Sequence, residues 1–314
     1  MPTTAGVSKY FARGNRIVFA GWGFGSVFRD LHRELQSTHC PATGKTQNPP
    51  VATPCRFESG HRHHIAASCI SLAATFFYNN FLADTSENKE SFMRIVSWNC
   101  NGKFREKFKK IKELDADIYV IQECENPQSY AGTAYRGFAK NYIWNGENKN
   151  KGLGIFAKES ISIQRNGWDA YCLRNFLSVK VNHDFDLLGV WACKPYIEEY
   201  YIYQCIHIQK YNDQTIIIGD FNSNKIWDKT HSARNHTNVV KELERKNLIS
   251  AYHYVYHEKQ GEEKQPTFYL YRHLDKGYHI DHCLIKKERI KNYQVLHGQS
   301  WLNYSDHLPI SLEI

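Results

Sequence analysis

Five short apolar runs between Met93 and the C-terminus each carry acids, amides or a histidine at or near one end, and this repetition restricts the fold more than any single motif. Ile95-Val96 leads into Trp98-Asn99-Cys100-Asn101-Gly102, Ile118 to Val120 into Ile121-Gln122-Glu123, and Ile216 to Ile218 into Gly219-Asp220-Phe221-Asn222. His279-Ile280-Asp281-His282 precedes Cys283 to Ile285, and Ser305-Asp306-His307 precedes Leu308 to Ile310. Apolar runs of this length with polar boundaries are buried strands. Residues i and i+2 of an extended segment share a face, so the spacing predicts that Asp220 and Asn222 reach one substrate atom together. One Asp or Asn after a strand is ordinary turn chemistry. Five such ends in order point to an active site.

Helical stretches lie between these strands. Phe104, Phe108, Ile111 and Leu114 form a helical stripe with basic residues facing solvent, and Glu198 to Gln209 and Asn238 to Lys246 are further predicted helices. Other predicted strands are Gly152 to Ala157, Asp186 to Trp191, Thr215 to Gly219, Thr267 to Tyr271, His279 to Ile285, Tyr293 to Leu296 and Leu308 to Glu313. The order fits an α/β domain of two packed sheets flanked by helices, and pattern alone leaves a plain α/β sheet equally open.

The 222 residues from Met93 onward are ample for one core, whereas residues 1–92 show no sustained period. The expectation is an N-terminal extension, disordered or a mis-assigned start, followed by a catalytic domain over 93–314. Met93 stands directly before the first strand, where a native start is expected. The apolar stretch from Ile65 to Tyr78 is shorter than the roughly 20 residues of a bilayer span, so no membrane partner is expected. Nine scattered cysteines without a CxxC pair form neither a zinc nor a disulfide framework, which suits a reducing cytoplasm. A formal charge of +8 suits a polyanionic substrate, and no protein partner is indicated.

Asn99, Glu123, Asp220 with Asn222, Asp281 and Asp306-His307 together resemble, in order and spacing, the endonuclease/exonuclease/phosphatase superfamily, which includes exonuclease III, apurinic endonucleases, DNase I, neutral sphingomyelinases and inositol polyphosphate phosphatases. The resemblance covers about residues 93–314. It implies a four-layer α-β-β-α sandwich of two mixed sheets with the catalytic groups at one end. It also implies Mg²⁺ or Mn²⁺ held by Glu123 and Asp306 with help from Asn99, hard oxygen donors suited to those ions. Asp220 is then expected to orient or deprotonate the attacking water, and Asn222 to donate its amide hydrogens to phosphate. His307 polarises the phosphate, with Asp281 accepting its other ring proton. Asn101 is expected beside the metal ligands, touching substrate. Where many relatives place a histidine or tyrosine, this chain has Trp191, which either stacks on a base or packs at the rim. The remaining histidines are read as packing or exposed.

The expected function is a divalent-metal-dependent phosphodiesterase acting on nucleic acid, DNA first, related to exonuclease III. The segment before Asp281 lacks the Pro-x-Trp-Cys-Asp-Arg signature of the inositol phosphatase branch. A small phosphate ester is the alternative substrate, and a catalytically silent nucleic-acid-binding relative the alternative class.

Overall fold

The computed structural model describes residues 92–314. The expectation for residues 1–92 therefore lies, but for Phe92, outside the described residues. Two six-stranded mixed sheets form the body. In the first, β1 (Arg94–Asn99) runs parallel to β2 (Ile118–Cys124) and antiparallel to β14 (Ile310–Glu313). Beyond these lie β13 (Asn292–Val295) on one side and β4 (Lys151–Ala157) and β3 (Asn141–Asn148) on the other. The second sheet runs β5 (Ile163–Arg165), β6 (Phe176–Val181), β7 (Phe185–Trp191), β8 (Thr215–Asp220), β12 (Asp281–Ile285) and β9 (Ile249–Ser250). Parallel neighbours need a crossover, and α1 (Phe104–Lys112) supplies it between β1 and β2 as α3 (Ile197–His207) does between β7 and β8. Further helices are α2 (Ala134–Phe138), α4 (His236–Glu244), α5 (Ala251–Tyr256) and α6 (Gln299–Leu302).

The apolar patterns place the layers. Ile216 and Ile218 join the large core shared by the two sheets, where the Gly189 backbone meets Val120, while Ile217 turns to the outer cluster with Tyr200 and Tyr203 of α3 and Leu243 of α4. A strand covered on both faces reads as an unbroken apolar run, which is why Ile216 to Ile218 carries no alternation. On the outer face of the first sheet, Phe104 and Phe108 of α1 pack on Tyr135 and Phe138 of α2 and, through Phe104, on Phe156 of β4. The result is the expected α-β-β-α sandwich. Among the described residues, no helix is long and apolar enough to cross a membrane.

Two predicted strands change near the site. The one expected over Thr267–Tyr271 is only β10 (Phe268–Tyr269), because the chain turns at Tyr271 and Arg272, both with positive φ. The one expected over His279–Ile285 begins only at Asp281, as β12, and is preceded by a separate short strand, β11 (Gly277–Tyr278), paired with β10. β10 also meets the chain at His307: Tyr269 N donates to the Asp306 carbonyl (2.8 Å) and Leu308 N to the Thr267 carbonyl (2.7 Å). That short hairpin clamps the His307 segment.

A second brace holds the segment after β8. The Asn224 amide donates to Glu263 (3.0 Å) and to the His279 carbonyl (2.9 Å), and Glu263 also accepts from Gly261 N (2.8 Å) and lies 2.9 Å from His253 Nε2. Burial penalises the Glu263 carboxylate, but these donors outweigh the penalty and hold its pKa well below the usual range. A depressed carboxylate stabilises the fold above its unfolded pKa of roughly 4.3, and this is lost as pH falls below that value. Glu263→Gln is therefore expected to cost about 1–3 kcal/mol near neutrality. The melting-temperature gap to the wild type should narrow steadily below about pH 4. A gap independent of pH would show that the carboxylate's charge contributes nothing.

Candidate active site

Strand parity brings most of the polar ends to one place. Asn99 lies two residues beyond Ser97, and Gln122, in register with Asn99, donates to Ser97 Oγ (2.9 Å) on that face. Asp220 continues the inward face of Ile216 and Ile218, and Asp281 that of Cys283 and Ile285, with Asp220 and Asp281 directly paired across β8 and β12. All these groups therefore point into the gap between the sheets, at its polar end.

Glu123 breaks the parity. It follows the inward-facing Gln122 and would face outward in a regular strand. A bulge between Gln122 and Cys124, with Glu123 at φ 63, turns it back toward the Asn99 amide (3.4 Å). Asn222 also departs from expectation. The strand ends at Asp220, and Asn222, at φ 48, folds back so that its backbone N–H donates to Asp220 Oδ1 and its amide to Asp220 Oδ2, both at 2.8 Å. The two side chains do converge, but through an Asx-type turn and not through strand pleat. The Asn222 amide is further held by the Ala192 carbonyl (3.2 Å).

The network is continuous. Asn99 Nδ2 donates to Asp220 Oδ2 (2.9 Å), while Asn99 Oδ1 accepts from Asn101 N (3.0 Å). Asn101, placed by three successive residues of positive φ (Asn101, Gly102, Lys103), donates its amide to Asp306 Oδ1 (3.0 Å). His307 Nδ1 lies 2.9 Å from Asp281 Oδ2, and its Nε2 lies 3.9 Å from Asp220 Oδ2. Burial disfavours an imidazolium here, but the Asp281 and Asp220 carboxylates outweigh it and hold His307 above its ordinary value. Burial, opposed by His307 and reinforced by Asp281, raises the Asp220 carboxyl above the usual carboxylate range.

Trp191 stands in register with Asp220 on the neighbouring strand and is 8% exposed. The ammonium of Lys151 lies over its ring at 5.4 Å and is 2.9 Å from Glu123 Oε2. Every residue singled out from the sequence thus belongs to one contiguous cluster. Three contributors were not foreseen. Lys151 follows a polar turn and carries no functional signal in the sequence. Thr267 carries only a strand signal in the sequence, yet its Oγ1 accepts from Ile280 N and Asp281 N, both at 3.0 Å. Phe268 packs its ring 4.7 Å from that of His307.

Among the described residues, Asp220, Asp281 and His307 are the one set of three potential ligand side chains whose ligand atoms lie within 4.8 Å of one another. A cation there would have to displace the proton between His307 Nδ1 and Asp281, and the raised histidine resists that. The geometry suits proton handling. Glu123 and Asp306 are half-buried, linked through Asn99 and Asn101, and offer only hard oxygen atoms, a donor set that fits Mg²⁺ or Mn²⁺ with retained water.

Residues 96–307 match the Endonuclease/Exonuclease/phosphatase family. No curated protein sequence matches the chain. Among solved structures, the 3'-5' exonuclease of Neisseria meningitidis superposes with a TM-score of 0.53 at 17% identity, covering 71% of this chain and 99% of that one. An AP endonuclease from Archaeoglobus fulgidus gives 0.53 at 17% identity, covering 70% and 98%. An AP endonuclease from Leishmania major gives 0.57 at 12% identity, covering 74% and 90%. At such identities the likeness establishes the fold.

Proposed function

Because this chain belongs to the endonuclease/exonuclease/phosphatase family, we propose that the cluster between its sheets is the active site of a divalent-metal-dependent phosphodiester hydrolase acting on DNA. The observation that carries the reading is the buried His307 between Asp281 (2.9 Å) and Asp220 (3.9 Å), with Asp220 itself fixed by Asn99 and Asn222. A carboxylate held by donors on both oxygens is aimed before substrate arrives, and its raised pKa makes it a better acceptor for a proton from water. His307, kept protonated, can donate to a phosphate oxygen as charge develops there, while Asp281 fixes the ring's orientation. Glu123 and Asp306, with Asn99 beside them, would hold the divalent ion, whose chemistry is to neutralise phosphate charge. Asn222 serves chiefly to orient Asp220, since its amide is already engaged by that carboxylate and by the Ala192 carbonyl.

The DNA assignment draws on the charge of +8, and two of the superposing structures are described as a 3'-5' exonuclease and an AP endonuclease. Plasmid DNA, single-stranded oligonucleotides, RNA and a phosphate monoester, each incubated with Mg²⁺ or with EDTA, test it. DNA cleavage that requires Mg²⁺ is the expected result. Turnover of the monoester alone would move the substrate to a small phosphate ester. Retention of DNA without hydrolysis of anything would mark a silent binding relative.

A further inference from the structure

Building on the reading of Glu123 as a metal ligand, we propose that Lys151 is a positioning residue that competes with the divalent cation for Glu123 and, once displaced, offers its ammonium to the anionic substrate beside Trp191. Metal and substrate then bind cooperatively. Lys151 is the first residue of β4, directly after the turn at Lys149-Asn150, and its side chain is about half exposed. Its Nζ meets two groups at once, Glu123 Oε2 at 2.9 Å and the Trp191 ring at 5.4 Å. The indole face attracts a cation, and the apolar stem of lysine can lie against it while the head moves.

The competition follows from charge. Glu123 makes its one ion pair among the described residues with Lys151, and its Asn99 contact is a long 3.4 Å. A divalent ion on the same carboxylate repels the ammonium and drives it off. Trp191 is in register with Asp220 on the neighbouring strand, so the two side chains leave the sheet on the same face and an ammonium held over the indole stays on the face that carries the proposed base. An anionic phosphate at that place recovers the charge pairing that Lys151 lost. Substrate thereby favours the displaced lysine and, by thermodynamic reciprocity, favours the metal.

The test is a Mn²⁺ titration of the full chain, following free Mn²⁺ by electron paramagnetic resonance, with and without a phosphorothioate DNA oligonucleotide. In the wild type the oligonucleotide should tighten Mn²⁺ binding. Lys151→Met should bind Mn²⁺ about two- to five-fold more tightly without oligonucleotide, the scale of a half-exposed ion pair, and should lose the coupling. Lys151→Arg should keep it. Unchanged or weaker Mn²⁺ binding in Lys151→Met, or coupling that survives the substitution, overturns the inference and leaves the metal site standing. A wild-type chain that takes up no Mn²⁺ overturns the metal site itself, and the inference falls with it.

Discussion

Asp220→Asn is expected to lower phosphodiester hydrolysis by about 10²-fold or more while the protein remains folded, because the substitution removes the group placed to take the proton from water. The shape is nearly conserved, but the hydrogen bonding is not. Asp220 Oδ2 accepts from Asn99 and Asn222, and Oδ1 from the Asn222 backbone. Whichever way the new amide turns, one of its N–H groups faces another donor. A local cost of about 1–3 kcal/mol follows, partly offset because no charge need be buried any longer. Asp220 also helps to keep His307 charged, so its loss should lower the His307 pKa. The pH above which activity declines should then move down, which nuclear magnetic resonance of the imidazole would follow directly. Turnover at the wild-type rate in a purified, folded Asp220→Asn protein would remove Asp220 from the mechanism.

Much of the site was legible in the sequence because strand parity is a strong constraint. Asn99, Asp220 and Asp281 face inward for the same reason that Ile218 and Cys283 do, and a pattern of period two carries that information. Glu123 joins the cluster by a route the pattern cannot encode, since a bulge reverses the face of a single residue. Asn222 met Asp220 as expected but through a turn, because Asn tolerates a positive φ that ends the strand early. Among the elements, α5 (Ala251–Tyr256) escaped notice. Its composition of two tyrosines, a valine and a further tyrosine favours strands, and packing of Tyr252 on Tyr256, His279 and Tyr293 overrides that preference. The strand Phe176–Val181 lies against β7 as an alternating segment whose one charged residue, Lys180, pairs with Asp186 (2.9 Å) across the ladder. Lys151 had no readable signal, because only the fold brings the first lysine of β4 against both a carboxylate and an indole.

Gly219→Ala is expected to be among the most damaging single changes in the domain. Gly219 lies between Ile218 and Asp220 on β8, in register with Val190 on β7 and His282 on β12, at φ 150. A methyl group built there would sit 2.0 Å from the Val190 carbonyl oxygen and 2.8 Å from its carbon. Both atoms are backbone, so no side-chain rotation relieves the clash, and β7 and β8 must part. Positive-φ strain and overpacking, at roughly 1–3 kcal/mol each, give a loss of about 2–6 kcal/mol. Against a total stability of about 5–15 kcal/mol, that is a large share, and the melting temperature should fall by roughly 2–4 °C per kcal/mol lost. Any folded fraction should also be slow, because a shift of β8 moves Asp220 relative to Asn99 of β1 and to His307 on the segment leading into β14, both on the other sheet. Gly189→Ala is the control. Its methyl group would approach the Val120 side chain at 3.0 Å and Leu153 at 3.5 Å, with no backbone atom among the nearest three, so its cost should be smaller. Thermal melts of both variants, with the hydrolysis rate of whatever remains folded, separate the two cases. A Gly219→Ala protein that melts within a degree or two of the wild type would show that the β7–β8 ladder tolerates a side chain there, and that the glycine is not what fixes the position of Asp220.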